Sequence, residues 1–482
     1  MASLEELIKA RKEKLEELKK RGINPFPPRI ELKGKVGKIE TARDSLGKQV
    51  LVCGRLWSIR KHGAMAFLDI KDESGKIQLF FSKKNLEKDF ELLEFFDSGD
   101  FLAAQGKVFK TQAGEISVEV SKMQLLTKSL RPLPSEWFGL KDEEERLRKR
   151  YVDFLLNPEL RDLFLRKARF WQATRDFLVG KGFVEVETPV LETTTGGADA
   201  RPFQTHHYAL DIDVYLRISM GELWQKRLMV AGFEKTFEIG RQFRNEGMDA
   251  EHLQDYSQME FYWAYASYLD GMALVEEMIK SVAQKTFGTQ KFKIGKYEID
   301  LGKPWEVYDY VETVKKMTGV DVTKTSLKEI EKKLKELKVD YSKQGFSLTR
   351  GIDNLWKYCR KQIKGPGFLV HVPVSISPLA KRKPDDLELT ERFQVIIAGS
   401  ELGNGYSELN DPIDQAGRFT EQQKLRESGD EEAQMDDKDF VEALEYGMPP
   451  TCGFGMSERL FAFLENKTMR ECQIFPLMRP KE

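Results

Sequence analysis

The feature that most limits how this chain can fold is a run of five short strand-like segments between Val50 and Thr127. VLVCGRLWSIR, AMAFLDIKD, KIQLFF, DFLAAQGKVFK and EISVEVSKMQLL are separated by turn signals such as Asp72–Gly75 and Ala113-Gly114. Five strands in under a hundred residues suggest a small closed barrel, because closure leaves no unpaired strand edge. Ahead of it, Leu4, Leu7, Ile8, Leu15 and Leu18 fall near helical spacing among charges, predicting a helix over Ser3–Arg21 that Gly22 and the Pro25–Pro28 run end. That helix either touches RNA through its basic residues or is a solvated face.

The chain has 482 residues, too many for one ordinary domain and enough for two or three. The barrel region reads as an OB-fold occupying 29–135, behind an N-terminal helix and extension at 1–28. LRPLP and the charge run KDEEERLRKR predict a linker over 136–155. Residues 156–482 form one large α+β unit, in which helical text (Leu160–Val179) precedes strand text at Phe183–Val186, Thr236–Ile239, Gln258–Phe261 and Phe393–Ala398. A lysine-rich helical stretch at about 321–362 interrupts the strands and reads as a surface insertion.

Hydrophobic residues at 40% and charged residues at 32% describe a globular chain rather than a disordered one. Lys plus Arg number 77 against 78 for Asp plus Glu, a formal charge of -1, which leaves room for a local basic patch. No pair of the four cysteines has CxxC spacing, so scattered reduced thiols are expected rather than zinc or disulfides. His206-His207 invites a metal reading, but strand neighbours face opposite ways and no third ligand lies close in sequence. No signal peptide and no apolar run long enough to span a membrane are read, so a cytoplasmic protein is expected.

Three clusters in the large unit carry candidate chemistry. In GFVEVETPVLETTTGGADARPF, Gly196-Gly197 permits close backbone approach. In FEIGRQFRNEGMDAEHLQDYSQMEFYWAYASY, a polar loop between two strands offers Arg244, Glu246, His252 and Tyr256. Arginine grips phosphate in a fork, a carboxylate accepts from an exocyclic amine, and tyrosine offers a base a stacking face. The third cluster combines FQVIIAGSELGNGYSELND, with Glu401, Asn404 and Glu408 around glycines, and YGMPPTCGFGMSERLFAFL. In the latter, Gly453 and Gly455 are read as leading into a helix N-terminus that carries Arg459 and suits an anion.

These clusters, in this order, resemble the three motifs of class II aminoacyl-tRNA synthetases. The resemblance extends along GINPFP, GKIQLF, FKTQAGEISVEV, LLTKSLRPLP, GGADARPFQTHH, FEIGRQFRNEG, MEFYWAYASY, ISPLAK, ELGNGYSELND and YGMPPTCGFG to the bacterial-type lysyl-tRNA synthetases. It implies an antiparallel sheet flanked by helices, an N-terminal anticodon-reading OB-fold, and a homodimer built through Phe183–Leu191. The implied partners are ATP, lysine and tRNA(Lys), with Mg²⁺ as cofactor. By family position Arg244 holds the α-phosphate, Glu246 accepts from adenine, Tyr256 stacks on it, and His252 and Arg459 meet the outer phosphates. Glu401 carries the metal. Glu260 and Glu408 receive the substrate ε-ammonium beside Tyr262, while Glu222 and the backbone at Gly197 take the α-amino group and Asn404 orients the carboxylate. In the barrel, Arg60, Phe67 and Gln78 read the central anticodon base. From the residues alone, Phe67 is either such a stacking face or simply barrel core.

The chain departs from the pattern at four places. Gln394 stands where the family commonly has a metal-binding Glu, which leaves the number of Mg²⁺ ions open. Leu253 replaces an Asn, Ser457-Glu458 replace an apolar residue and Asp, and Gly221 is an extra residue before Glu222. A protein-lysylating relative would lack the barrel. An aspartyl or asparaginyl enzyme is at odds with Glu260, Tyr262 and Glu408. A catalytically dead scaffold is at odds with Arg244, Glu401 and Arg459.

Overall fold

A computed structural model describes residues 3–134, 142–341, 346–428 and 433–481. The chain divides into two compact units, Met1–Leu156 and Asn157–Glu482. Residues 136–141 of the expected linker and 342–345 of the expected insertion lie outside the described residues.

In the first unit, helix α1 (Leu4–Lys20) starts on a capping box, in which Ser3 and Glu6 satisfy each other's backbone N–H groups. Five strands follow: β1 (Gln49–His62), β2 (Met65–Lys71), β3 (Lys76–Ser82), β4 (Phe101–Lys110) and β5 (Ile116–Thr127). They pair in the order β1-β2-β3-β5-β4, and β4 returns to β1 to close the barrel. Alternation decides what fills it. Ala66, Leu68 and Ile70 of β2 and Ile77, Leu79 and Phe81 of β3 form the core with Leu18 of α1.

The second unit is built on an eight-stranded sheet. Its members are β6 (Val184–Glu185), β7 (Lys235–Phe243), β8 (Asp255–Ala264), β9 (Glu306–Asp309), β10 (Gly367–Val370), β11 (Arg392–Ile397), β12 (Ser400–Ser407) and β13 (Thr451–Ser457). The spatial order is β9-β10-β11-β12-β13-β8-β7-β6. The inner pairings are antiparallel, but both edge pairings, β9–β10 and β6–β7, are parallel. The sheet is therefore mixed rather than purely antiparallel.

One sheet face packs on helices α2 (Glu159–Gly180) and α4 (Tyr268–Phe287), through Met259 and Phe261 of β8, Phe393 and Val395 of β11 and Phe454 and Met456 of β13. The other face is left for polar residues, and α3 (Glu222–Val230) lies across part of it, with Leu223 and Met229 packed against Tyr262. The stretch read as a surface insertion holds α5 (Leu327–Glu336) and α6 (Leu348–Arg360), packed around Ile330, Leu334, Leu355 and Trp356. Its surface character is only partial: Lys357 and Arg360 of α6 reach the cavity described below. A helix that buries one face can still present charged side chains inward from its rim, which composition alone does not reveal.

Candidate active site

The polar face of the large sheet floors a cavity of about 510 Å³. Strand periodicity supplies most of its lining. Along β8, Tyr256, Gln258, Glu260 and Tyr262 line the cavity, while Met259 and Phe261 between them join the helix-side core. On β12, Glu401 and Asn404 differ by three positions and would fall on opposite faces of a regular strand. A register shift resolves this: Ile396 of β11 pairs with Glu401 and Val395 with Gly403. Leu402 is the extra residue and enters the helix-side core, so both polar side chains line the cavity.

Gly453 and Gly455 do not form an anion-binding loop ahead of a helix, as the sequence suggests. They sit inside strand β13, and the six-residue helix after it begins at Arg459. Their function is clearance. A Cβ on Gly453 would lie 2.1 Å from Glu408 Oε1 and 2.6 Å from Tyr262, and one on Gly455 would lie 3.0 Å from Glu260 Cγ. Gly197 (φ +86°) likewise leaves no room for a side chain, since its Cβ would sit 2.7 Å from Glu222 Cβ.

One end of the cavity is acidic and buried. Glu260 Oε1 accepts from the Met220 N–H at 3.0 Å and from Gln258 Nε2 at 2.5 Å, and the Tyr262 hydroxyl donates to Oε2 at 3.1 Å. Burial, followed by the negative charge of Glu222, pushes Glu260 up to about 7 against the pull of those three donors. Burial also raises Glu408 well above the ordinary carboxylate range, although Lys226 opposes it. Glu408 Oε1 is buried with no hydrogen-bond partner among the described residues. Lys226 of α3 is the buried cation here, 2.8 Å from Glu222 Oε1 and 2.5 Å from Glu408 Oε2.

The remainder of the cavity is rich in arginine. Arg244 donates from Nε to the Ile218 carbonyl at 3.2 Å, and its guanidinium lies 6.0 Å from the Tyr256 ring centroid. Arg392 donates to Asn404 Oδ1 at 2.8 Å and to the Ile376 carbonyl at 2.6 Å. Arg459 is engaged by Glu251 and Ser400, and Arg360 is 3.5 Å from Glu401. His252 lies at the rim with its ring 2.9 Å from the Asp249 carboxylate.

Of the expected site residues in this unit, Gly197, Glu222, Arg244, His252, Tyr256, Glu260, Tyr262, Glu401, Asn404, Glu408 and Arg459 all line this cavity. Glu246 does not: it is exposed on the turn after Arg244. Sequence reasoning missed Lys226, Gln258, Arg360 and Arg392. Two of these were signalled locally, Gln258 by strand period and Lys226 by lying four residues after Glu222 on a helix. The departures are absorbed by the surroundings. Leu253 joins the hydrophobic core. Glu458 is buried against Lys167 at 2.6 Å. Gly221 adopts φ +66° as the cap of α3, where a Cβ would overlap Thr188.

On the barrel unit, Phe67 is absent from the buried core and lies on the opposite face of β2 from Ala66 and Leu68. Its ring is 5.2 Å from Phe80, which is 5.8 Å from Phe109, so three strands present an aromatic row. Arg60 pairs in register with Phe67, and Gln78 with Asp69. Arg60 is half-exposed, 3.4 Å from Asp69, and Gln78 accepts from Ser117 Oγ at 2.9 Å. Stacking surface and hydrogen-bonding groups thus share one face, as a single-stranded nucleic acid requires.

Residues 142–479 match the family model described as tRNA synthetases class II (D, K and N), and residues 50–126 match that of the OB-fold nucleic acid binding domain. The fold and the cavity are those of a class II synthetase. The chain is 44% identical to lysine–tRNA ligase of Pelotomaculum thermopropionicum, over 99% of this chain and 96% of that protein. It is 44% identical to lysine–tRNA ligase of a Thermoanaerobacter species, over 99% and 97%. The same named enzyme of Thermosipho africanus is 42% identical, again over 99% and 97%. The chain belongs to this lysine–tRNA ligase family.

Proposed function

We propose that the chain activates lysine with ATP and transfers it to the 3′-terminal adenosine of tRNA(Lys). The observation that carries this reading is the buried acidic end, where Glu260 and Glu408 line the cavity and neither Glu408 oxygen has a hydrogen-bond partner among the described residues. Buried carboxylates without a cation are costly, so the recess favours a substrate that brings an ammonium group. A side chain that lacks the amine leaves those acceptors unpaired and is rejected.

Glu260 and Glu408 take the ε-ammonium beside Tyr262, Glu222 and the Gly197 backbone take the α-ammonium, and Asn404 with Arg244 aligns the carboxylate. Arg244 then stands where negative charge develops on the α-phosphate as the lysine carboxylate attacks in line and pyrophosphate leaves. Tyr256 and Glu246 serve adenine, the latter only if its turn folds inward, and His252 and Arg459 serve the outer phosphates. For Arg459 this means exchanging Glu251 for a phosphate. In the second step the terminal ribose hydroxyl attacks the lysyl carbonyl and AMP leaves.

The residues present fit Mg²⁺ held largely by substrate phosphates. Glu401 supplies a carboxylate that lines the cavity, whereas Gln394, whose buried Oε1 has no partner, does not line it. Among the described residues, no group of three or more His, Cys, Asp or Glu could form a closed metal cage. Such sparse oxygen ligation is usual for Mg²⁺ at nucleotide sites, where the ion neutralises charge on the phosphates. A cytoplasmic setting accords with this function; among the described residues no helix is long and apolar enough to cross a membrane.

Arg60, Phe67 and Gln78 are assigned to the anticodon. A homodimer is supported by exposed apolar side chains within the first motif, Val184, Val190 and Leu191. Sedimentation equilibrium is expected to give twice the 55.7 kDa chain mass; a monomer at micromolar concentration removes the dimer. The deciding test of function is amino-acid-dependent ATP–pyrophosphate exchange with each of the twenty amino acids. Exchange with lysine alone is expected, and exchange with a different amino acid would overturn the pocket assignment.

A further inference from the structure

The buried end of the cavity holds three carboxylates, Glu222, Glu260 and Glu408, each less than about a tenth exposed. It also holds a lysine of the protein itself. Lys226 is 1% exposed and does not line the cavity; it reaches Glu222 and Glu408 from behind. Its stem runs through apolar packing, with the ammonium 5.4 Å from the Tyr406 ring centroid and 5.9 Å from that of Phe440. Both carboxylates it touches also line the cavity: Lys226 pairs as an ion with Glu408 Oε2, and neither Glu408 oxygen has a hydrogen-bond partner among the described residues. Tyr406 and Lys226 share Glu222 Oε1, which leaves Oε2.

We propose that Lys226 is a positioning and specificity-determining residue, a built-in ammonium that sets the recess to accept a substrate with two ammonium groups. The argument rests on the lysine-activating reading above and deepens it. With all three carboxylates ionised, as pairing with ammonium groups requires, one fixed cation leaves two negative charges to be matched. A diamino acid brings two ammonium groups, one at each end of the recess. An amino acid with only its α-ammonium leaves one buried carboxylate unmatched, which is strongly unfavourable. Burial opposes charge on Lys226, but Glu222 and Glu408 outweigh it and hold the ammonium above its ordinary range, so it stays charged through neutral pH.

Without Lys226 the three carboxylates exceed the charge any diamino acid supplies. Glu222 and Glu408 lose the cation that lies 2.8 Å and 2.5 Å from them, and their like charges oppose one another. Glu408 also loses the ion pair that fixes its carboxylate beside the cavity.

Lys226→Met tests this because methionine keeps most of the buried stem volume and removes only the charge. In the full-length protein, exchange kinetics are expected to show the KM for lysine raised at least tenfold. The KM for ATP and the thermal midpoint should stay close to those of the unsubstituted protein. Lys226→Gln, neutral but able to donate to Glu408, should show the same lysine-specific loss and serves if the methionine variant does not fold. A lysine KM within twofold of the original would reduce Lys226 to packing and overturn the proposal. Tighter lysine binding would also overturn it, by showing that the internal ammonium competes with the substrate. An equal rise in both KM values would overturn it as well, since the loss would not be specific to the amino acid. Failure of the underlying reading looks different: the unsubstituted protein would then show no lysine-dependent exchange at all.

Discussion

Glu260 shows how one side chain ties pH to substrate binding. Its carboxylate must be ionised to pair with an ammonium, yet burial has raised it to about 7. The KM for lysine is therefore expected to rise about tenfold as pH falls from 8 to 6, the span over which a single group of that pKa protonates. Exchange kinetics across that range check it, and a flat profile counts against Glu260. Without lysine, stability should run the other way. Folded Glu260 holds its proton more tightly than the unfolded chain, whose ordinary value is 4.5, so its contribution is full below about 4.5 and is lost as pH rises through about 7. Glu260→Gln should abolish both trends and raise the lysine KM about 10- to 100-fold, the worth of a charged hydrogen bond. The identity of Glu260 as a candidate was legible in the sequence. Its titration was not, because three donors and a neighbouring carboxylate converge on it from Met220, Gln258, Tyr262 and Glu222.

At the scale of elements, β13 and β12 act through their irregularities. The glycines of β13 are needed for what they omit. Gly453→Ala should leave the fold intact by circular dichroism but crowd Glu408 and Tyr262. Overpacking of about 1–3 kcal/mol corresponds to roughly a 5- to 150-fold loss of lysine affinity. Lysine titration calorimetry checks this, and unchanged affinity would show that the recess yields. The barrel strands and β6, β7, β8 and β11 were plain from residue pattern, and so were helices α1 and α2, whereas β13 was not read as a strand. The shift at Leu402 was invisible, because a bulge is decided by how two distant segments pair and not by the text of either. The reading of Gly453 and Gly455 as a helix-entry loop failed for a related reason: glycine spacing does not distinguish a turn from a strand whose neighbours crowd it.

At the scale of the whole molecule, two units with separate cores carry separate candidate surfaces. Two partial activities should therefore come apart. In the full chain, Arg60→Ala, Phe67→Ala and Gln78→Ala together are expected to lower kcat/KM for tRNA charging at least tenfold, as loss of a stacked base does. Lysine-dependent pyrophosphate exchange should stay within twofold. Equal losses in both assays would remove the barrel from anticodon reading. By itself the sequence determined the barrel, because strand alternation is written in consecutive positions, while the resemblance carried by its motifs pointed to the synthetase class and to eleven of the residues that line the cavity. Only the tertiary structure decided that Phe67 lies outside the barrel core, that Arg360 meets Glu401 and that Lys226 neutralises part of the acidic recess. Those facts depend on which side chains meet across segments far apart in the chain, and burial fixes the charge they carry only once they have met.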